Sequence, residues 1–256
     1  MKAKHLIIEA FVGFYAQNGS SQETLQNRKP YAAGRFYTNK PDELKTQLQL
    51  LFAKSLQKKH ENKLRAIIVP HAGYVYSGEV AASAFNQIDP NRKFENIFII
   101  GSSHTTTFPG ASVYCSGNYE TPLGTVEVNI ELAKQLVAEN KILKSYPEAH
   151  LHEHSLEVQL PFLQYHLHTD FKIVPVIIGS STAETAKKLA AIFKSYLNEK
   201  NLFVISSDFS HYPNHNDAYM ADQATAEAIK TNNPEELIAA LESNEKKNIS
   251  GMRDND

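Results

Sequence analysis

The chain has one cysteine, Cys115, and no tryptophan among its 256 residues. A single thiol excludes an internal disulfide and any zinc site built from several cysteines. No apolar run reaches the roughly 18 residues that a helix needs to cross a bilayer. Charge of one sign is also missing: 26 basic residues face 28 acidic ones, for a net charge of −2. Without a basic excess there is no electrostatic footprint for nucleic acid or for an acidic membrane surface. The glycines lack the spacing of a phosphate-binding loop, and no Gly-x-Ser-x-Gly elbow is present. Internal repeats and low-complexity blocks are absent too. The length fits one α/β domain.

What the chain does have is three apolar runs that each end in a histidine-bearing loop. Ala66-Ile67-Ile68-Val69-Pro70 leads into His71-Ala72-Gly73-Tyr74. Ile97-Phe98-Ile99-Ile100-Gly101 leads into Ser102-Ser103-His104. Leu202-Phe203-Val204-Ile205-Ser206 leads into Ser207-Asp208-Phe209-Ser210-His211. Short β-branched and aromatic runs of this kind read as buried strands. Ligands of open α/β sheets bind beyond the carboxyl ends of the strands. Three such ends would bring three imidazoles and one carboxylate to one sheet edge.

The rest of the pattern alternates. Helical periodicity predicts helices over 41–59, 77–88, 130–139, 155–166, 182–197, 217–230 and 234–241, with Ser77 capping the second and Pro161 kinking the fourth. Strands are predicted at 66–70, 96–101, 111–115, 172–178 and 201–206. Strand and helix in turn indicate βαβ units and a three-layer α/β/α sandwich with a largely parallel or mixed central sheet. The segment from Glu242 to Asp256 is almost wholly polar and reads as a frayed tail or a shortened chain. At the other end, a basic start, a mostly apolar stretch from Leu6 to Ala16 and a polar stretch to Lys29 resemble a secretory signal, which Glu9 interrupts. Residues 1–27 are therefore read as an N-terminal extension or degenerate signal. The expected location is the cytoplasm, with export as the alternative.

Imidazole nitrogens suit iron, copper and zinc. Asp208 fits as a carboxylate ligand or as the acceptor that holds an imidazole tautomer. His211 fits as an acid/base group. In His150-Leu151-His152-Glu153-His154-Ser155-Leu156-Glu157, a helix starting near His154 would put His154 and Glu157 on one face, as a metal pair or proton relay. The same acidic residues would also suit a plain helix start. His150 and His152 read as weaker candidates. Cys115, inside an apolar run, reads as a buried inert thiol. Tyr74 and Tyr76 fit either a pocket wall or plain packing.

At these residues the chain resembles the Memo family, also called AmmeMemoRadiSam system protein B. The matching segments are 30–37 (Pro-Tyr-Ala-Ala-Gly-Arg-Phe-Tyr), 70–78 (Pro-His-Ala-Gly-Tyr-Val-Tyr-Ser-Gly), 101–104, 119–124, 153–162 and 206–212. The family resembles class III extradiol ring-cleaving dioxygenases in fold. The resemblance implies that His71 and His104 are metal ligands for iron or copper, with zinc less expected. It implies that Asp208, His211 and His154 line the pocket as the catalytic groups. It also implies a third, cysteine ligand and final core elements beyond residues 248–251, where this chain has Met252-Arg253-Asp254-Asn255-Asp256. A domain over 28–251, shortened at its end and followed by a non-family tail at 252–256, is the resulting expectation. It carries with it a two-histidine site lacking its third protein ligand, and an exposed apolar patch. The implied activity is metal binding, with an iron- or copper-dependent redox enzyme as its enzymatic form. Two other readings stand beside it: a peptide- or partner-binding module using the same cleft, and a metal-assisted hydrolase with His211 as base. A small-molecule substrate or a peptide is the expected ligand. A functional link to a radical-SAM protein is the expected association.

Overall fold

The structure is a computed structural model that describes residues 25–58, 64–180, 182–211 and 213–246. The signal-like stretch 6–16, the residues 248–251 and the tail 252–256 lie outside the described residues.

In chain order the elements are α1 (Pro41–Lys54), β1 (Ala66–Val69), α2 (Tyr74–Phe85), β2 (Asn96–Ser102), β3 (Ala111–Val113), β4 (Tyr119–Thr121), β5 (Gly124–Val126), α3 (Ile130–Glu139), β6 (Leu143–Lys144), α4 (Pro147–Leu151), α5 (Leu160–His166), β7 (Ile173–Ile178), α6 (Ala183–Phe193), β8 (Asn201–Ser206), α7 (His215–Lys230) and α8 (Pro234–Lys246). The central sheet has the order β1-β8-β2-β7-β3-β6. β1, β8, β2 and β7 run parallel, while β3 runs antiparallel to β7 and carries β6 beside it. The sheet is thus mixed. A separate hairpin joins β4 to β5.

Both faces of the sheet are covered, which is why its strands read as continuous apolar runs instead of alternating ones. Ile97 and Ile99 of β2, Leu202 and Val204 of β8, and Ile173 and Ile177 of β7 join the core cluster that includes Leu44 and Leu48 of α1, Phe85 of α2 and Phe162 of α5. Phe98, Phe203, Val174 and Val176 point the other way, to Leu136 of α3 and to Leu189 and Phe193 of α6. This is the α/β/α sandwich that the sequence pattern implies.

Several boundaries differ from the sequence reading. α2 begins at Tyr74, so Ser77 does not cap it and instead donates to the Ala72 carbonyl at 3.0 Å. Pro161 kinks nothing: the segment is a 3-10 turn over Glu157–Gln159 followed by α5, and Pro161 sits in the first turn, where a missing N–H costs little. The polar stretch after Glu242 continues α8 to Lys246, with Asn244 buried against Ala221 and Thr225 of α7. The hairpin, β6 and α4 are elements without a sequence-level signal strong enough to single out.

The most demanding burial is ionic. Arg28 is fully buried, and so is Glu157, its ion-pair partner. Arg28 also donates to the carbonyls of His150 (3.0 Å) and Glu153 (2.6 Å), and its guanidinium lies 5.1 Å from the Tyr119 ring centre. The Glu157 carboxylate additionally accepts from the backbone N–H groups of Tyr31, Ala32 and Ala33 and from the Tyr37 hydroxyl at 2.6 Å. Gln26 and Asn27 are drawn in as well: Gln26 N–H donates to Ser116 and Asn118 N–H donates to the Asn27 side chain. Removing one partner of such a pair strands the other charge in a dry interior. Arg28→Ala is therefore expected to lower the unfolding free energy by about 3–5 kcal/mol. Urea denaturation checks this, and a change under ~1 kcal/mol would contradict it.

Candidate metal centre

β1, β8 and β2 are neighbours in the sheet and parallel, so their carboxyl ends open onto one edge. His71 follows the end of β1, His104 follows β2, and Asp208 and His211 follow β8. His154 arrives from a different direction, in the turn between α4 and the 3-10 segment. Gly101 lets that turn come close: a Cβ there would meet Ser155 Oγ at 2.9 Å and Leu156 at 3.1 Å. The result is a cluster of imidazoles. Ring centres are 5.0 Å apart for His71–His104, 5.4 Å for His71–His154 and 4.4 Å for His104–His154. One nitrogen from each lies within 4.8 Å of the others. His71 is buried, while the His104 and His154 side chains are 22% and 17% exposed, so the cluster opens to solvent on that side.

Hydrogen bonding decides which nitrogen His71 offers. Ser206 Oγ has one proton, and it goes to the Ser155 carbonyl at 2.6 Å. Gln159 Nε2 donates to the same oxygen at 2.9 Å. The His71 Nδ1 contact with Ser206 Oγ, 3.1 Å, must then be a donation from the ring. In the neutral ring this leaves the lone pair on Nε2, which lies 3.7 Å from Asp208 Oδ2. Asp208 Oδ1 meanwhile accepts the backbone N–H of His71 at 2.7 Å, and His211 Nε2 lies 3.6 Å from Oδ2. Asp208 therefore sits between His71 and His211. Next to His211, Ser210 donates to Asp222 of α7; burial leaves the Asp222 carboxyl raised despite those bonds.

His154 stacks on Phe36, with ring centres 4.3 Å apart and 27° between planes. Burial pulls its pKa down to about 4, aided by repulsion from His104 and His71 and opposed by Glu153. It is a neutral donor at pH 7. Phe36 reaches this position because Glu157 pins residues 31–37 over the cleft. Its carbonyl also accepts Tyr74 N–H at 2.8 Å.

The five residues expected from sequence, His71, His104, His154, Asp208 and His211, are brought together. The expected His154–Glu157 pair is not. The chain does not form a helix at 154, and Glu157 turns away to Arg28. The acidic residues here are not exposed charges at a helix start either, since Glu153 and Glu157 are both buried. His150 is a buried structural residue held by the Tyr119 hydroxyl (2.8 Å) and Ser112 Oγ (3.0 Å), and His152 lies against Tyr31. Ser102 is buried and Ser103 contacts Thr106, so neither serine approaches a triad. Tyr74 is packed in the core and donates to the Val158 carbonyl, while Tyr76 is exposed. Cys115 is a buried thiol near the Val113 carbonyl, as read. Glu153, Ser206, Gln159 and Phe36 surround the cluster without having been singled out. Only the histidine-flanking position of Glu153 hinted at it. A groove of about 960 Å³ lined by Lys45, Phe94, His168 and Phe171 lies by the amino ends of β2 and β7, away from the cluster.

Among proteins of known family, the model described as Memo-like protein matches residues 28–254. A MEMO1 family protein of Saccharolobus solfataricus is 39% identical over 216 residues, spanning 79% of this chain and 76% of that protein. MEMO1 family proteins of Saccharolobus islandicus and Sulfurisphaera tokodaii are each 37% identical over the same spans.

The buried histidines make stability depend on pH. Burial, with repulsion from Arg28, takes His150 from 6.5 down to about 3. Between those values the unfolded chain binds a proton that the folded chain refuses, so stability falls as pH falls. His154 adds to this from 6.5 down to about 4. The melting temperature is expected to be highest above about pH 6.5 and to drop steadily toward pH 4. A profile flat from pH 7.5 to 4.5 would contradict it.

Proposed function

The chain belongs to the Memo family, and on that footing we propose that it is a metal-binding protein whose ion is held by His71, His104 and His154. The observation that carries the proposal is the convergence of three imidazoles, one nitrogen from each within 4.8 Å of the others. The donor set fits such an ion. His71 presents an Nε2 lone pair 3.7 Å from a carboxylate oxygen, an arrangement that a cation relieves. His154 is kept neutral, as a ligand must be. An exclusively nitrogen set of this kind suits iron, copper or zinc, and the family resemblance favours the first two. Iron or copper held there would supply one-electron redox chemistry and an open coordination position.

The chain's own groups carry the rest. We assign proton transfer to His211, with the Asp208 carboxylate 3.6 Å from its Nε2 as its neighbour in the relay. Asp208 also accepts the His71 backbone N–H, which ties the acid/base pair to the ligand loop. A small molecule is the substrate class proposed, and a functional link to a radical-SAM protein is proposed with it. A second reading, a cleft for a peptide, is favoured by Val75 and Tyr76, which stand 80% and 86% exposed just after the His71 loop.

The test is metal uptake. Protein purified without added metal and titrated anaerobically with Fe(II), or aerobically with Cu(II), is expected to bind one ion per chain. His71→Ala and His154→Ala should each weaken binding by at least the ~10–100-fold that loss of an outer-sphere partner costs. His152→Ala, outside the cluster, should bind as the parent does. No uptake, or uptake indifferent to His71 and His154, would overturn the proposal.

A further inference from the structure

Glu153 has an environment that neither a helix start nor a surface charge explains. Its side chain is 1% exposed. Oε2 accepts the backbone N–H of His104 at 2.6 Å, and Oε1 lies 2.9 Å from His104 Nδ1. Oε1 also accepts the backbone N–H groups of His154 and Ser155, both at 2.9 Å, and lies 3.4 Å from His154 Nδ1. The carboxylate thus grips His104 twice, by backbone and by ring, and grips His154 by backbone. Arg28, the nearest buried cation, reaches the Glu153 carbonyl and not its carboxylate. Among the described residues no lysine or arginine pairs with the Glu153 side chain.

We propose that Glu153 is a positioning residue for the metal site, fixing the tautomer and aim of His104 and the place of His154 before any ion is bound. The proposal rests on the reading of the three-histidine cluster as a metal site. The reasoning is electrostatic and geometric. An ionised carboxylate can only accept, so His104 Nδ1 must carry a proton, and in the neutral ring that a metal binds the lone pair is then on Nε2. A carboxylate behind the ring also makes Nε2 a stronger donor. Ser206 holds His71 in the same tautomer through a neutral hydroxyl, so the two rings are backed unequally. Among the described residues the buried negative charge of Glu153 is met by dipoles and histidine rings, and a cation in the cluster completes it.

Two measurements test this. In the first, Co(II) is titrated into the parent chain and into Glu153→Gln, followed by the visible d–d band. The amide keeps the shape but replaces one acceptor oxygen with a donor. The expected result is affinity weaker by about 10–100-fold with a shifted band, at temperatures where both proteins are folded. A purely structural role would lower the melting temperature and leave affinity and band unchanged, which would overturn the assignment. The second needs no variant, should Glu153→Gln fail to fold. Long-range 15N–1H correlation on the metal-free parent chain at pH 7 reads the His104 tautomer directly. Protonated Nδ1 is expected, and a ring protonated on Nε2 with Nδ1 bare would overturn the assignment. A parent chain that takes up no Co(II) would instead overturn the metal reading, and with it the purpose given to Glu153, whatever the tautomer.

Discussion

A carboxylate taken out of water has to be surrounded by donors, and the short stretch from Glu153 to Glu157 must meet that demand twice, in opposite directions. Glu157 turns toward the start of the domain and collects Arg28, three consecutive backbone N–H groups and the Tyr37 hydroxyl. Glu153 turns toward the sheet edge and collects His104, His154 and Ser155. Burial pushes its carboxyl up, and the hydrogen bonds from the His104 ring and from the backbone of His104 and Ser155 together outweigh it and bring it down to about 2. An uncompensated charge at either position would cost several kcal/mol, so the segment has little freedom. The 31–37 strap and the His104 loop are fixed to it from its two sides.

The histidine cluster is a consequence of that double anchoring laid over an ordinary α/β edge. Parallel neighbours β1, β8 and β2 deliver His71, Asp208 and His104 because strands that run together end together. The 153–156 turn delivers His154 because Gly101 leaves room for Ser155 and Leu156 against β2. The strap delivers Phe36 to the His154 ring. Each imidazole of the cluster is thereby held by something other than a ligand. Ser206 backs His71, Glu153 backs His104, and Phe36 packs His154. A site organised this far in advance loses little conformational freedom when it is filled.

The sheet and its edge were legible in the amino-acid order. Runs such as Ile97-Phe98-Ile99-Ile100 announce strands buried on both faces, and the histidine loops after three of them announce the edge where they meet. α3 and β8 have the bounds that their periodicity predicts. What was not legible depends on partners far away in the chain. Arg28 looks like a surface cation until Glu157, 129 residues on, is seen to bury it. The spacing of His154 and Glu157 suggested one helix face, but the tertiary demand for donors around each carboxylate outweighed helix geometry and sent the two side chains apart. The tautomer of His71 could be deduced only from the single proton of Ser206, which is committed to a carbonyl 51 residues away. His154 was legible as part of the site, but its place beside His71 and His104, where only two protein nitrogens were expected, required coordinates.

The central claim is that three imidazoles, from two strand ends and one anchored turn, share a single ion. X-ray absorption spectroscopy on the chain loaded with Cu(II) or Fe(II) counts them directly. Outer-shell scattering from three imidazole rings is expected, falling to two in His154→Ala. Scattering from two rings or fewer in the parent chain, unchanged on removing His154, would contradict it.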